Sequence, residues 1–182
     1  MWLWILIAVL VVIVLWIVST YNSLVGLRNT CKEAFSTMDV YLKKRWDLIP
    51  NLVETVKGYA KHEKDTLQEV ISLRNTPYES MSDDEKVKTN QKLSQSVTKI
   101  MALAEAYPEL KADTEYLNLQ SELSIVEDQL KDAREIYNHV ANNYNTAIEV
   151  VPSNIVAAIF GFKKAELFKL EDAKKENVEI KL

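Results

Sequence analysis

Two histidines, one cysteine and three glycines are the residues from which this chain would have to build a reactive site. A di-iron site in a helical protein takes two Glu-x-x-His pairs. The residues three before His62 and His139 are Tyr59 and Ile136, so neither pair exists. Gly26, Gly58 and Gly161 stand too far apart to form a phosphate-cradling loop. Cys31 or a serine would need an adjacent base to become a nucleophile, and no spacing supplies one. Acidic neighbours such as Glu127-Asp128 read as the solvated face of a helix. The chemistry-bearing residues therefore predict no catalytic centre, no metal and no cofactor.

The elements that would position any site are more telling. Met1 to Val18 is apolar without one charged side chain, while the rest is polar and patterned. Eighteen residues rising about 1.5 Å each cover about 27 Å, close to the thickness of a hydrocarbon core. Trp2 and Trp4 at one end, with Trp16 and Tyr21 at the other, are placed as interfacial anchors. A cleaved signal would carry a basic start and small residues before the cut. Neither is present: the first basic residue is Arg28, and Ile17-Val18-Ser19-Thr20 is a poor cleavage site. We expect an uncleaved single-pass helix over 1–20.

Charge sets the expected orientation and narrows the partners. Arg28 and Lys32 lie within the distance at which basic residues are retained on the cytoplasmic side. This predicts a bacterial inner-membrane protein, N-terminus outside and C-terminal domain in the cytoplasm. Residues 50–162 carry 18 acidic against 11 basic side chains, whereas 22–49 carry 5 basic against 3 acidic. A basic stretch near the bilayer and an acidic one beyond it suit an anionic leaflet and disfavour nucleic acid.

The soluble part, 21–168, reads as all helix. Leu24, Cys31, Phe35, Met38, Leu42, Ile49, Leu52, Val56 and Tyr59 make one apolar stripe that continues straight out of the span. Pro50 predicts a kink or a restart within it. The first loop is expected at 75–80, and Ser82-Asp83-Asp84-Glu85 has the form of a capping box opening a second helix. A turn near Pro108 leads to Asp113 as N-cap of a third. From Tyr116 an alternating three-four pattern runs through Leu119, Leu123, Val126, Leu130, Ala133, Tyr137, Val140, Tyr144, Ala147 and Val151. The expected architecture is an antiparallel up-and-down helical bundle with unusually long helices on a membrane stalk, followed by a charged tail at 169–182 without a fixed fold.

The third helix outruns the second by about 24 Å at 1.5 Å per residue. Its surplus seam needs cover, from the long first helix or from another copy. We expect self-association through Leu123, Val126, Leu130, Tyr137, Val140 and Tyr144, with a monomer closed by the first helix as the alternative. Three further features have two readings. Lys43-Lys44-Arg45-Trp46-Asp47 is a lipid or partner contact, or, as we prefer, a structural ion-pair segment. Arg134, Tyr137, Asn138, Asn142 and Asn145 form an interaction surface or a polar layer fixing helix register. Ile155, Ile159, Phe160, Phe162, Lys163 and Lys164 make a membrane or partner contact, or belong to a fourth core helix, the reading we favour.

Several stretches resemble one family. These are Tyr21-Asn22-Ser23-Leu24-Val25, Asp39 through Val53, Lys57-Gly58-Tyr59-Ala60, Tyr107 through Ala112, Arg134 through Asn138, Tyr144-Asn145 and Phe160-Gly161-Phe162. In order and spacing they are similar to the LemA family. The resemblance implies a bacterial membrane-anchored protein with a four-helix domain and assigns no activity. Relatives that help build magnetosome membranes point to organising membranes rather than catalysis. The resulting expectation is a self-associating scaffold, with the lipid bilayer, further copies and a membrane protein as partners. The alternative is a regulatory adaptor for a membrane enzyme such as a protease.

Overall fold

A computed structural model describes residues 1–60 and 63–168. His62 and the charged tail expected at 169–182 lie outside the described residues. The described chain is helical and contains no strand. Its elements are α1 (Trp2–Tyr59), α2 (Lys64–Ser72), a 3-10 turn (Tyr78–Ser80), α3 (Asp83–Ala106), α4 (Pro108–Lys111), α5 (Thr114–Glu149) and α6 (Ser153–Ile159).

α1 is one unbroken helix of 58 residues, about 87 Å long at 1.5 Å per residue. Its first part, to Leu15, is exposed throughout and is long and apolar enough to cross a membrane. From Leu24 onward one face goes under cover: Leu24, Cys31, Phe35, Met38, Leu42, Trp46, Ile49, Leu52, Val53 and Val56 are all buried. The helix does not restart at Pro50, which lies inside it. A proline removes one backbone hydrogen bond, and the burial of Trp46, Ile49, Leu52 and Val53 around it outweighs that loss. The first break comes instead at Ala60, well before the loop expected at 75–80.

The caps fall where the sequence puts them. Ser82 accepts a bond from the Glu85 N–H while Glu85 reaches back to the Ser82 backbone, so α3 opens on a capping box. Asp113 accepts from the Tyr116 N–H at 2.9 Å and opens α5.

The main contact is between α1 and α5. Tyr59 donates to Asp113 at 2.7 Å, Lys44 lies 3.8 Å from Glu122, Arg45 2.7 Å from Glu127, and the rings of Phe35 and Tyr137 meet at 5.6 Å. From Tyr59–Asp113 at one end to Phe35–Tyr137 at the other, partner numbers on α5 rise along the pairing as those on α1 fall. The α5 seam is buried at Tyr116, Leu119, Leu123, Val126, Leu130, Ala133 and Tyr137, then at Ala141, Tyr144 and Ile148. The expected Val140 and Ala147 are only half-buried. A strict 3.5-residue repeat drifts by about 20° per heptad on a straight helix of 3.6. After three heptads that drift moves the covered position one residue along.

Candidate functional site at the span-proximal end

The end of the domain nearest the apolar part of α1 is built by three pieces: α1 from Ile17 to Arg28, the C-terminal end of α5, and the chain from Val150 to Phe168. α6 lays Val156 and Ala157 against Leu24, Tyr144 and Ile148, with Ile17, Tyr21, Leu27 and Phe162 packed around them. The Tyr21 ring sits 4.7 Å from Phe160 and 5.8 Å from Phe162, and the Arg28 guanidinium stacks 5.2 Å over Phe162. Gly161 takes a positive φ of 69°, which turns the chain out of α6 without a Cβ penalty.

Beyond Gly161 the chain runs along α5 as a strap with no regular structure, held by a ladder of side chains. Asn145 bonds both the C=O and the N–H of Ala165, each at 2.8 Å. Asn138 does the same for Phe168, each at 2.9 Å. The Tyr144 hydroxyl donates to the Lys163 carbonyl and the Tyr137 hydroxyl to that of Glu166, both at 2.8 Å. The rungs repeat every seven residues on α5 and every three on the strap. Seven helical residues rise about 10.5 Å, and three residues of near-extended chain cover about 10 Å, so the two periods match. Phe168 closes the strap, its ring edge-on to Tyr137 at 5.7 Å and under the Arg134 guanidinium at 5.7 Å. Burial pushes the Tyr137 and Tyr144 hydroxyls above the ordinary phenol range. Both stay protonated at neutral pH and keep the O–H that each rung requires.

Beside the strap lies an open groove of about 1110 Å³, with Cys31, Phe35, Tyr78 and Tyr144 among its walls. Side chains of both signs line it, among them Arg28, Lys163 and Lys164 with Glu79, Asp83 and Asp84. Burial raises the Cys31 thiol, outweighing the lowering effect of its hydrogen bond with Tyr137, so the sulfur is not a ready thiolate nucleophile. Among the described residues no three His, Cys, Asp or Glu side chains gather as metal ligands. His139 is exposed and faces Asn143 on its own helix.

The residues singled out from the sequence fall into distinct places. Leu123, Val126, Leu130, Tyr137 and Tyr144 are buried within the chain, and Val140 is half-buried beside them. Of the two covers weighed for that seam, α1 of the same chain supplies one. Arg45 is buried and pairs with Glu127 on α5, while Lys43 pairs with Asp47 at 2.6 Å on its own helix. Asn138, Asn145 and Tyr137 carry the strap, a role outside both readings given to them. Asn142 is exposed. The signal that could have found the ladder is the Tyr-Asn pair repeated one heptad apart, at 137–138 and 144–145. Ile155, Ile159 and Phe160 are exposed and Phe162 is half-buried, while Lys164 pairs with Glu149. Trp2, Trp4 and Trp16 are exposed along the apolar part of α1, and Tyr21 is half-buried against Phe160 and Phe162.

The LemA family profile matches residues 34–182. The chain belongs to the LemA family. Protein LemA of Metamycoplasma hominis is 24% identical over 163 residues, covering 87% of this chain and 73% of that protein. Magnetosome protein MamQ 2 of Paramagnetospirillum magneticum is 37% identical over 75 residues, or 41% of this chain. Magnetosome protein MamQ of Magnetospirillum gryphiswaldense is 36% identical over 70 residues. The matched stretches span 28% and 26% of the two magnetosome proteins. None of these names states a catalytic activity. What they support is a membrane-associated protein of the LemA family, and the Tyr-Asn ladder lies within the region that defines this LemA-family chain.

Proposed function

We propose that this protein is a non-catalytic, self-associating helical scaffold that organises a membrane or a membrane-protein assembly from the cytoplasmic face of a bacterial inner membrane. The observation that carries this reading is α1. A helix that is unbroken from its apolar start to the middle of the core makes the domain a rigid extension of the span. Any association between domains would then be transmitted to the bilayer. The order of contacts along α1 and α5 supports an antiparallel, up-and-down bundle, and the magnetosome relatives support a membrane-organising role. Because α1 covers the 123–144 seam, copies in this reading associate through faces outside it. The open groove favours a second reading, an adaptor that holds a membrane enzyme partner such as a protease.

The mass of the full-length protein extracted in mild detergent separates the two. A discrete homo-oligomer is the outcome expected of a scaffold. A monomer that is recovered from crosslinked cells with one fixed partner would replace scaffolding with the adaptor.

A further inference from the structure

At the span-proximal end the chain exposes a cluster of apolar side chains that its own core leaves uncovered. Val150 is 48% exposed, Val151 78%, Ile155 56%, Ile159 68% and Phe160 51%. Ile155 and Ile159 stand one turn apart on α6, so they share a side, and the buried Val156 and Ala157 occupy the other. Facing water, such a tip would be an unusual concentration of apolar surface on a polar domain.

Its position supplies the occupant. Ile17, inside the apolar run, packs on the same cluster as α6, and Tyr21 lies against Phe160. The tip therefore sits at the level where the apolar part of α1 gives way to the polar part. If α1 crosses a bilayer, lipid lies beside the tip. Lys163 and Lys164 follow immediately in the chain, Arg28 stacks on Phe162, and Lys32 lies one turn beyond Arg28. Cations at that height are where anionic headgroups would be.

We propose that the 150–160 tip inserts into the headgroup–acyl boundary of the bilayer that α1 spans, as a second, non-spanning anchor. The span alone leaves the domain free to rotate about α1 and to tilt. A second point of insertion fixes which face of the domain meets the lipid and which faces the cytoplasm. The strap ladder then has a mechanical role, because it ties the chain that leaves the tip back to α5. This inference rests on the membrane reading of α1, and its test keeps the two apart.

Full-length protein is reconstituted into nanodiscs of phosphatidylcholine and phosphatidylglycerol, in a Cys31→Ala background whose melting is checked first. Single cysteines at Val151→Cys, Ile155→Cys or Ile159→Cys carry an environment-sensitive fluorophore, read with and without nitroxide-labelled lipids. Leu10→Cys reports on the span, and Ile125→Cys, exposed on α5, reports on water. The expected result is several-fold stronger quenching at the three tip positions than at Ile125→Cys, with headgroup-proximal nitroxides acting best. At Leu10→Cys, quenching is expected to come from deeper nitroxides. Tip probes as unquenched as Ile125→Cys, beside a quenched Leu10→Cys, would overturn the anchor and leave the span standing. An unquenched Leu10→Cys would remove the membrane reading itself. Tip probes that shift to the blue without lipid quenching would mean that protein, not lipid, covers the tip, and would equally overturn the proposal.

Discussion

The interface between α1 and α5 and the tip at α6 are built from the same residue types at the same helical spacing, yet one is closed and the other open. Leu42, Ile49 and Leu52 on α1 and Val126 and Leu130 on α5 have no exposure at all. Ile155 and Ile159 are more than half exposed a few residues past the end of the same seam. An apolar stripe states only that something must cover it. Here the first is covered by the chain itself, and the second stands beside the apolar run of α1.

The sharpest way to break that comparison is to place a charge in each face. Leu130→Asp buries a carboxylate among apolar neighbours. Truncating a buried leucine to alanine already costs about 2–5 kcal/mol, and an unpaired charge costs more. We expect loss of the cooperative thermal transition by circular dichroism in detergent. Ile159→Asp, on the open tip, should shift that transition by less than about 0.5 kcal/mol. Comparable losses in both variants would mean that the tip belongs to the folded core.

The next effect concerns an ion pair that crosses the closed interface from a buried side chain. Arg45 is 1% exposed and its Nε lies 2.7 Å from Glu127, whose side chain is 39% exposed. Removing one member of a buried pair costs about 3–5 kcal/mol, and the partial exposure of Glu127 puts this pair at the low end. Arg45→Ala should therefore destabilise more than Arg45→Met, which keeps the volume. Equal melting temperatures for the two, both below wild type, would show that the lost ion pair and not the packing volume sets the cost at this position.

What was legible in the sequence was whatever depended on near neighbours. Ser82 and Glu85, or Asp113 and Tyr116, meet within one turn, so their caps can be read from residue type and order alone. The apolar period of α1 was equally plain, because every seventh position repeats. The covered position in the last two heptads was not, since the drift from Val140 to Ala141 shows only when the helix is straight over its whole length. The end of α1 at Ala60 was missed because Gly58 is too weak a breaker inside an apolar stripe. The ladder was legible on one side only, as the Tyr-Asn pair repeated at 137–138 and 144–145. Asn138 and Asn145 bond to backbone, and backbone partners at Ala165 and Phe168 leave no trace in side-chain type. The tip was legible as an apolar piece, but its place beside the apolar run of α1 came only with the contacts of Ile17 and Tyr21.

The strap sharpens the comparison further, because it joins the open tip to the closed core by side-chain hydrogen bonds to its backbone, with the buried Phe168 at its end. Asn145→Ala removes both bonds to Ala165 and leaves its backbone to water. A hydrogen bond of this kind contributes about 0.5–1.5 kcal/mol, so the pair is worth about 1–3 kcal/mol locally. Hydrogen exchange at the Ala165 amide should speed by about 10-fold to 100-fold, as local opening becomes that much cheaper. Exchange at Leu130 should stay at its wild-type rate. A rise at both positions would make the strap part of the global fold rather than a separately opening element.

The smallest effect is a pH dependence, and its sign follows from two carboxylates at helix starts. Asp113 titrates below its ordinary value of 3.8, chiefly because it accepts from the Tyr116 N–H and then from Tyr59. Glu85 titrates below 4.5, chiefly through its bond from the Ser82 backbone. In each case the folded state holds the proton less tightly than the unfolded chain does. The stabilisation is complete above the ordinary carboxyl range and disappears as pH falls through the lowered folded values. Asp113→Asn keeps an oxygen that can accept from Tyr116 but has nothing to titrate. Wild type should therefore lose stability relative to Asp113→Asn on going from pH 6 to pH 3, read as a narrowing gap between their melting temperatures. A gap that stays constant over that range would mean that the cap acts through hydrogen-bond geometry alone, with no contribution from the charge of Asp113 at the start of α5.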